Sequence, residues 1–251
     1  LEPYVEQYDA SVFTLPSFAR TLSHPQYIIE PTIDPLSEKN RELSEVEIDR
    51  VYNELRIPRD MPVLLQVSRF DRFKDPIGVI DAFELVRRYT PCRLVLAGGT
   101  ATDDPEGEAV YRQVKERAQG EQFIHIRELP PNADFQVNAL QRGADIIIQK
   151  SLREGFGLTV TEALWKGKPV IAGAVGGILV QVYDGFDGYV VHSTEGAAYW
   201  IRFLLSRPDL RQRMGENGRK LVRRNFLITR QLLDYPMLLR AVTGRAKPNF
   251  S

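Results

Sequence analysis

ADIIIQKSLREGFGLTVTEALWKGKPVIAG, residues 144–173, reads as strand, loop, helix and strand in succession. ADIIIQ (144–149) is a short apolar run of the kind required by a strand buried on both faces. Gly155 and Gly157 follow in a loop where the backbone can approach a ligand closely. A helix begins near Leu158. Its first amides, around residues 157–159, lack intrahelical acceptors and carry the positive end of the helix dipole, which makes this junction a ready anion site. PVIAG (169–173) is the next strand.

The alternation extends outward in both directions. VLLQVS (63–68), RLVLAG (93–98), FIHI (123–126) and GYVV (188–191) are further apolar runs. Between them Val79, Ile80, Phe83 and Val86, and then Val110, Val114 and Ala118, recur at helical spacing. Such alternation predicts an α/β fold with a doubly wound parallel sheet, Rossmann-like in plan. Residues 59–226 are read as that domain. Residues 1–58 are a mixed linker region, with a strand-like piece at 10–15, several prolines and one helix start at Ser44, where Glu47 completes a capping box. Residues 195–206 and 209–226 read as helices, and 227–251 as a last helix (228–242) with a tail.

Composition narrows the function classes. The 251 residues are 43% hydrophobic, as in an ordinary globular domain. Lys plus Arg and Asp plus Glu both number 33, a balance that argues against a general nucleic-acid binder. The one cysteine, Cys92, cannot form an internal disulfide and reads as a packing residue beside a strand. No apolar run reaches the roughly 18 residues of a membrane span, and the N-terminus lacks the basic start and apolar core of a signal peptide. The expectation is a cytoplasmic protein without membrane partners. His24, His125 and His192 show no ligand spacing, so no structural zinc is expected.

In doubly wound sheets ligands bind beyond the carboxyl ends of the strands, so the strand-to-helix loops hold the candidates. In the loop 150–157, Glu154 precedes the anion site and Glu162 lies one turn inside the helix. Carboxylates there suit recognition of sugar or ribose hydroxyls. Taken singly, each glutamate is more simply a solvated helix acid; their placement around the glycines favours the site. The loop after residue 68, RFDRFKDP, crowds Arg69, Arg72 and Lys74, cations suited to a diphosphate. Asp71 and Asp75 offer them ordinary ion pairs, and Arg72 is assigned to that role. Gly98 and Gly99 form either a close-approach turn or a plain loop. Gly176 and Gly177 either expose amides or make a tight turn. Asp103 or Asp104 is expected to cap a helix with Pro105 in its first turn.

Glu154 and Glu162 form an E-x7-E motif. With VSRFDRFK before it and DGFDGYVV after it, the region 62–230 resembles the C-terminal domain of the GT-B, family-4 retaining glycosyltransferases. PTIDPLSEKN (31–40), DDPEGEAVY (103–111) and RRNFLITRQ (223–231) resemble the trehalose-forming branch of that family. The resemblance implies transfer of glucose from a nucleotide diphosphate glucose to free glucose. It implies that Arg69 and Lys74 hold the donor diphosphate and that Glu154 lies beside the donor sugar. Gly155, Phe156 and Gly157 would contact that sugar through their amides, Leu158 and Thr159 the phosphate, and Glu162 the ribose. Residues 128–130 would lie near the base. No metal and no cofactor beyond the substrate is implied. A GT-B enzyme places its site between two such domains. The acceptor sugar would sit mainly on an N-terminal partner domain, whose end YVEQYDASVF resembles, and a homodimer is another way to complete the cleft. The rival readings are a related transferase with another acceptor, a GT-B epimerase and a silent nucleotide-sugar-binding module.

Overall fold

The computed structural model describes residues 2–99 and 105–244. The chain starts with one helical turn, α1 (Glu2–Val5), and two short parallel strands, β1 (Ser11–Phe13) and β2 (Gln26–Ile28), in which Ser11 stands opposite Gln26. Ser44 then caps α2 (Glu45–Glu54). Its hydroxyl accepts from the Glu47 amide, and the Glu47 carboxylate accepts from the Ser44 amide at 2.8 Å, so the expected capping box forms.

Six parallel strands follow: β3 (Val63–Val67), β4 (Arg93–Gly98), β5 (Ile124–Glu128), β6 (Ile146–Gln149), β7 (Val170–Gly173) and β8 (Gly188–Val191). Their spatial order is β5-β4-β3-β6-β7-β8. The helices α3 (Pro76–Arg87), α4 (Pro105–Arg117), α5 (Asp134–Gly143), α6 (Leu158–Trp165), α7 (Thr194–Leu205) and α8 (Pro208–Asn225) cover both faces. Period-two alternation along each strand divides the core accordingly. Leu65, Val95 and Ile147 pack with Tyr52, Leu140, Val160 and Val222. Leu64, Leu94 and Ile146 pack on the other face with Val79, Phe83 and Ile201. Cys92 is part of this second core, and burial pushes its thiol up to about 12, as suits a packing residue.

The edge strand β5 differs from its neighbours. Its first four residues are half-buried and Glu128 is exposed, whereas β8, at the other edge, is almost wholly buried. After β8 the chain is helical, as the sequence predicts, and ends in α9 (Ile228–Thr243). Ile33 bridges the α8–α9 junction, donating to the Phe226 carbonyl at 2.9 Å and accepting from the Ile228 amide at 3.0 Å.

The winding reverses between β3 and β6. The chain runs outward from β3 to β5 on one side, then returns to β6 on the other side of β3. The loops leaving the carboxyl ends of β3 and β6 therefore diverge and leave a crevice.

His125 on β5 lies between Arg93, 3.3 Å from its Nε2, and Arg127. Burial first, and then these two cations, lower its pKa from 6.5 to about 4, against a smaller upward pull from Asp60. The folded state thus refuses a proton that the unfolded chain takes up. This contribution is lost as pH falls from about 6.5 to about 4. Urea midpoints measured across that window should fall less steeply for His125→Gln than for the parent chain; parallel slopes would contradict the assignment.

Candidate active site at the switch of the sheet

The two loops that flank the crevice are tied together. After β3 the chain makes a 3-10 turn over Arg72–Lys74, begun by Asp71, whose carboxylate accepts from the Phe73 amide at 2.7 Å. Asp75 ends the turn in the left-handed region, at φ 50°, and caps α3 by accepting from the Gly78 amide at 3.1 Å. The loop leaving β6 answers with two side chains. The buried Lys150 donates to Asp75. Glu154 receives Lys74, Nζ to Oε2, at 2.5 Å. The Leu152 amide also bonds to the Phe73 carbonyl at 2.8 Å. Gln66 Nε2 holds the Lys74 carbonyl at 2.7 Å, so Lys74 is fixed at its backbone as well as at its ammonium.

The glycine loop is equally constrained. Gly157, at φ 89°, starts α6. Gly176 has φ 50°, and a Cβ there would stand 1.7 Å from the Glu154 carbonyl oxygen, so residues 176 and 177 pack directly against the 154–156 backbone. Gln181 Nε2 donates to the carbonyls of Phe156 and Gly177, at 2.5 and 3.0 Å. Phe156 itself is buried with its ring edge-on to Phe226. The second glycine pair thus makes a tight turn that clamps the loop. Gly98 also serves close approach: a Cβ there would lie 1.7 Å from the Ser68 carbonyl oxygen.

Beside these loops lies a cleft of about 440 Å³. Its lining includes Ser68 and Arg69 after β3, Gly98 and Gly99 at the end of β4, Leu129, Pro130 and Pro131 after β5, Asp134 and Thr159 at the starts of α5 and α6, and Lys39. Arg69 is 65% exposed and pairs with Asp71 at 3.6 Å. Arg72 is exposed and bonds to Glu106 at 2.8 Å, in keeping with a solvated role. Leu158 stands exposed at the start of α6. Asp103 and Asp104 lie outside the described residues. Among the described residues no three of His, Cys, Asp and Glu gather as a metal-holding group, and no helix is long and apolar enough to cross a membrane.

Glu162 is not a solvated helix acid. It is 3% exposed, and Lys39 Nζ pairs with its Oε1 at 3.1 Å. Beneath it the buried Lys166 donates to Asn40 Oδ1 at 3.0 Å and Gln141 Oε1 at 2.8 Å. Burial drives the Glu162 carboxyl up and the Lys166 ammonium down, while Lys39 and then Lys166 pull Glu162 back toward its charged form. Sequence reasoning named Lys74 and Glu154, which meet, and Arg69 and Thr159, which line the cleft. It missed Lys39, Lys166 and the Lys150–Asp75 pair, whose only trace was a lysine closing an apolar strand.

A doubly wound α/β domain with its cleft at the topological switch is the scaffold of GT-B glycosyltransferases, and solved structures share it. Over 98% of this chain and 61% of its own, sucrose-phosphate synthase from Thermosynechococcus elongatus superposes with a TM-score of 0.79 at 22% identity. Anabaena HepE in complex with UDP-glucose gives 0.78 at 17% identity, covering 96% of this chain and 66% of that one. Residues 47–221 match the family described as Glycosyl transferases group 1, and the chain belongs to that family. Trehalose synthase of Pyrococcus horikoshii is 40% identical over 257 residues, 97% of this chain and 60% of the relative. The chain thus spans about 60% of the length of that relative.

Breaking the Lys150–Asp75 pair from one side strands a buried charge, which costs about 3–5 kcal/mol. Lys150→Met should lower the urea midpoint accordingly. Asp75→Asn added to it should recover much of the loss, since asparagine tolerates the left-handed backbone and still caps α3. No recovery in the double variant would show that the pair is not the cause.

Proposed function

We propose that this chain carries the donor half of a retaining glycosyltransferase that moves glucose from a nucleotide diphosphate glucose to free glucose, forming trehalose. The observation that carries the proposal is the 2.5 Å contact between Lys74 and Glu154 at the carboxyl ends of β3 and β6. It sets a cation suited to phosphate next to a carboxylate suited to sugar hydroxyls, beside the N-terminus of α6. The 40% identity to a trehalose synthase and the likeness in fold to HepE, which was solved with UDP-glucose, support the same reading.

In this arrangement the diphosphate lies between Lys74 and the amides of Leu158 and Thr159, with Arg69 at the cleft mouth. Glu154 and the amides of residues 155–157 hold the glucose, and Glu162 accepts from the ribose. Leu129 and Pro130 flank the base. As the anomeric carbon parts from the diphosphate, the leaving group gains charge, which Lys74, Arg69 and the α6 dipole stabilise. The acceptor hydroxyl attacks from the face the diphosphate leaves, so the anomeric configuration is kept and no protein nucleophile is required. The cationic groups take the place a metal would fill, and transfer is proposed to be metal-independent. The acceptor is positioned chiefly by an opposing domain, since catalysis by orientation requires a closed cleft around both reactants.

Charge-assisted phosphate bonds contribute about 1.5–3 kcal/mol each. Lys74→Ala should therefore weaken nucleoside diphosphate binding about tenfold or more and leave nucleoside binding nearly intact; equal losses would overturn the phosphate role. The 251 residues alone should bind donor yet form no trehalose from nucleotide-glucose and glucose. With the opposing domain present, transfer should continue in excess chelator, and loss reversed by magnesium or manganese would refute metal independence.

A further inference from the structure

We infer that Lys39, which precedes the region matched by the family, is a nucleotide-binding residue that grips the ribose diol together with Glu162. The inference rests on the donor-site reading above. It starts from accessibility. The Lys39 side chain is 33% exposed and lines the cleft, whereas the Glu162 side chain is 4% exposed, with Lys39 Nζ 3.1 Å from its Oε1. A ligand that reaches Glu162 from the cleft meets the Lys39 ammonium on the way.

The hydrogen-bonding capacity of the pair points to one kind of ligand. Glu162 Oε2 is buried and has no hydrogen-bond partner. A buried polar atom left unpaired is costly, and a donor from a ligand that displaced its cover would satisfy it. Lys39 adds a group that can only donate. Each hydroxyl of a vicinal diol both donates and accepts, so two neighbouring hydroxyls can donate to the carboxylate and accept from the ammonium at once. A 2′-deoxyribose satisfies half of that arrangement.

Lys39 is also held in place by its neighbours in the chain. Asn138 Nδ2 donates to the carbonyls of Glu38 and Arg41 at 2.8 and 2.9 Å. Arg142 Nη2 donates to the carbonyls of Asn40 and Arg41 at 3.0 and 2.9 Å, and Trp165 Nε1 to Asn40 at 3.2 Å. Both sides of Lys39 are therefore bolted to α5 and α6. This spends backbone acceptors and buried donors on a segment outside the sheet, and it delivers one ammonium to the cleft.

The test titrates UDP, ADP and GDP, each beside its 2′-deoxy form, against the parent chain, Lys39→Met, Glu162→Gln and the double variant. For the tightest of the three, Lys39→Met should lower ribonucleotide affinity about tenfold, the loss of one charge-assisted bond, and change the deoxynucleotide far less. An equal fall in both forms, or no fall, would overturn the inference. If Lys39→Met does not fold because Glu162 is left uncompensated, the double variant decides. It should discriminate ribose from deoxyribose less than Glu162→Gln alone, and equal discrimination would remove Lys39 from the site. If Glu162→Gln erodes the ribose preference while removing Lys39 does not, the donor-site reading stands and this inference falls. If neither does, or no nucleotide binds the parent chain, the ribose placement falls with it.

Discussion

Opposite charges facing each other across the reversal of the sheet hold this domain's functional end together. Lys74 reaches Glu154, and Lys150 reaches Asp75, each pair joining the loop after β3 to the loop after β6. None of the four side chains is more than about a fifth exposed, so none can discharge its charge into bulk water. Each needs its partner, and the partner lies on the other loop. A crevice that the winding of the sheet opens is thus drawn to one width by electrostatics. Positioning on that scale is what a site that works by orientation requires. The cations have capacity to spare, because an ammonium carries three donors and the carboxylate uses one. On the proposed donor reading, a phosphate would join Lys74 without displacing Glu154.

The network around Glu162 follows a different rule. Glu162 on α6 is compensated by Lys39 from an irregular segment, and the cation beneath it, Lys166, is solvated by Asn40 and Gln141 in place of water. Three stretches remote in sequence share one small polar network inside an apolar core. Such a network is worthwhile only when nearly every member is satisfied, and within it Glu162 Oε2 is the buried acceptor left without a partner.

Much of this was legible in the sequence, for reasons that differ by residue. Ile146 to Ile148 and Leu64 to Leu65 announce buried parallel strands because burial on both faces permits nothing but apolar side chains. Ser44 and Glu47 announce a helix start because the capping box is a contact three residues long. The glycine loop ahead of α6 is visible because backbone conformation and close approach restrict residue type. Lys150 and Asp75 were not visible as a pair, since nothing about either residue encodes a partner 75 positions away. Lys39 was hidden for the same reason: it stands in the stretch 31–40 that carries the family resemblance, but nothing local ties it to Glu162. The half-covered β5 also escaped notice, because FIHI looks as apolar as an interior strand; its place at the edge is decided by strand order, which local pattern does not carry.

The stretch matched by the family begins at residue 47, while the segment that brings Lys39 to Glu162 lies at 38–41. A recombination event that exchanged residues 47–221 between two such proteins would transplant the sheet, the glycine loop and both glutamates. It would leave behind Lys39, the Asn40 oxygen that receives Lys166, and the carbonyls that receive Arg142. The incoming domain would have to find substitutes for all three in its new host. The polar network around Glu162 is therefore larger than the piece of chain that defines its ancestry.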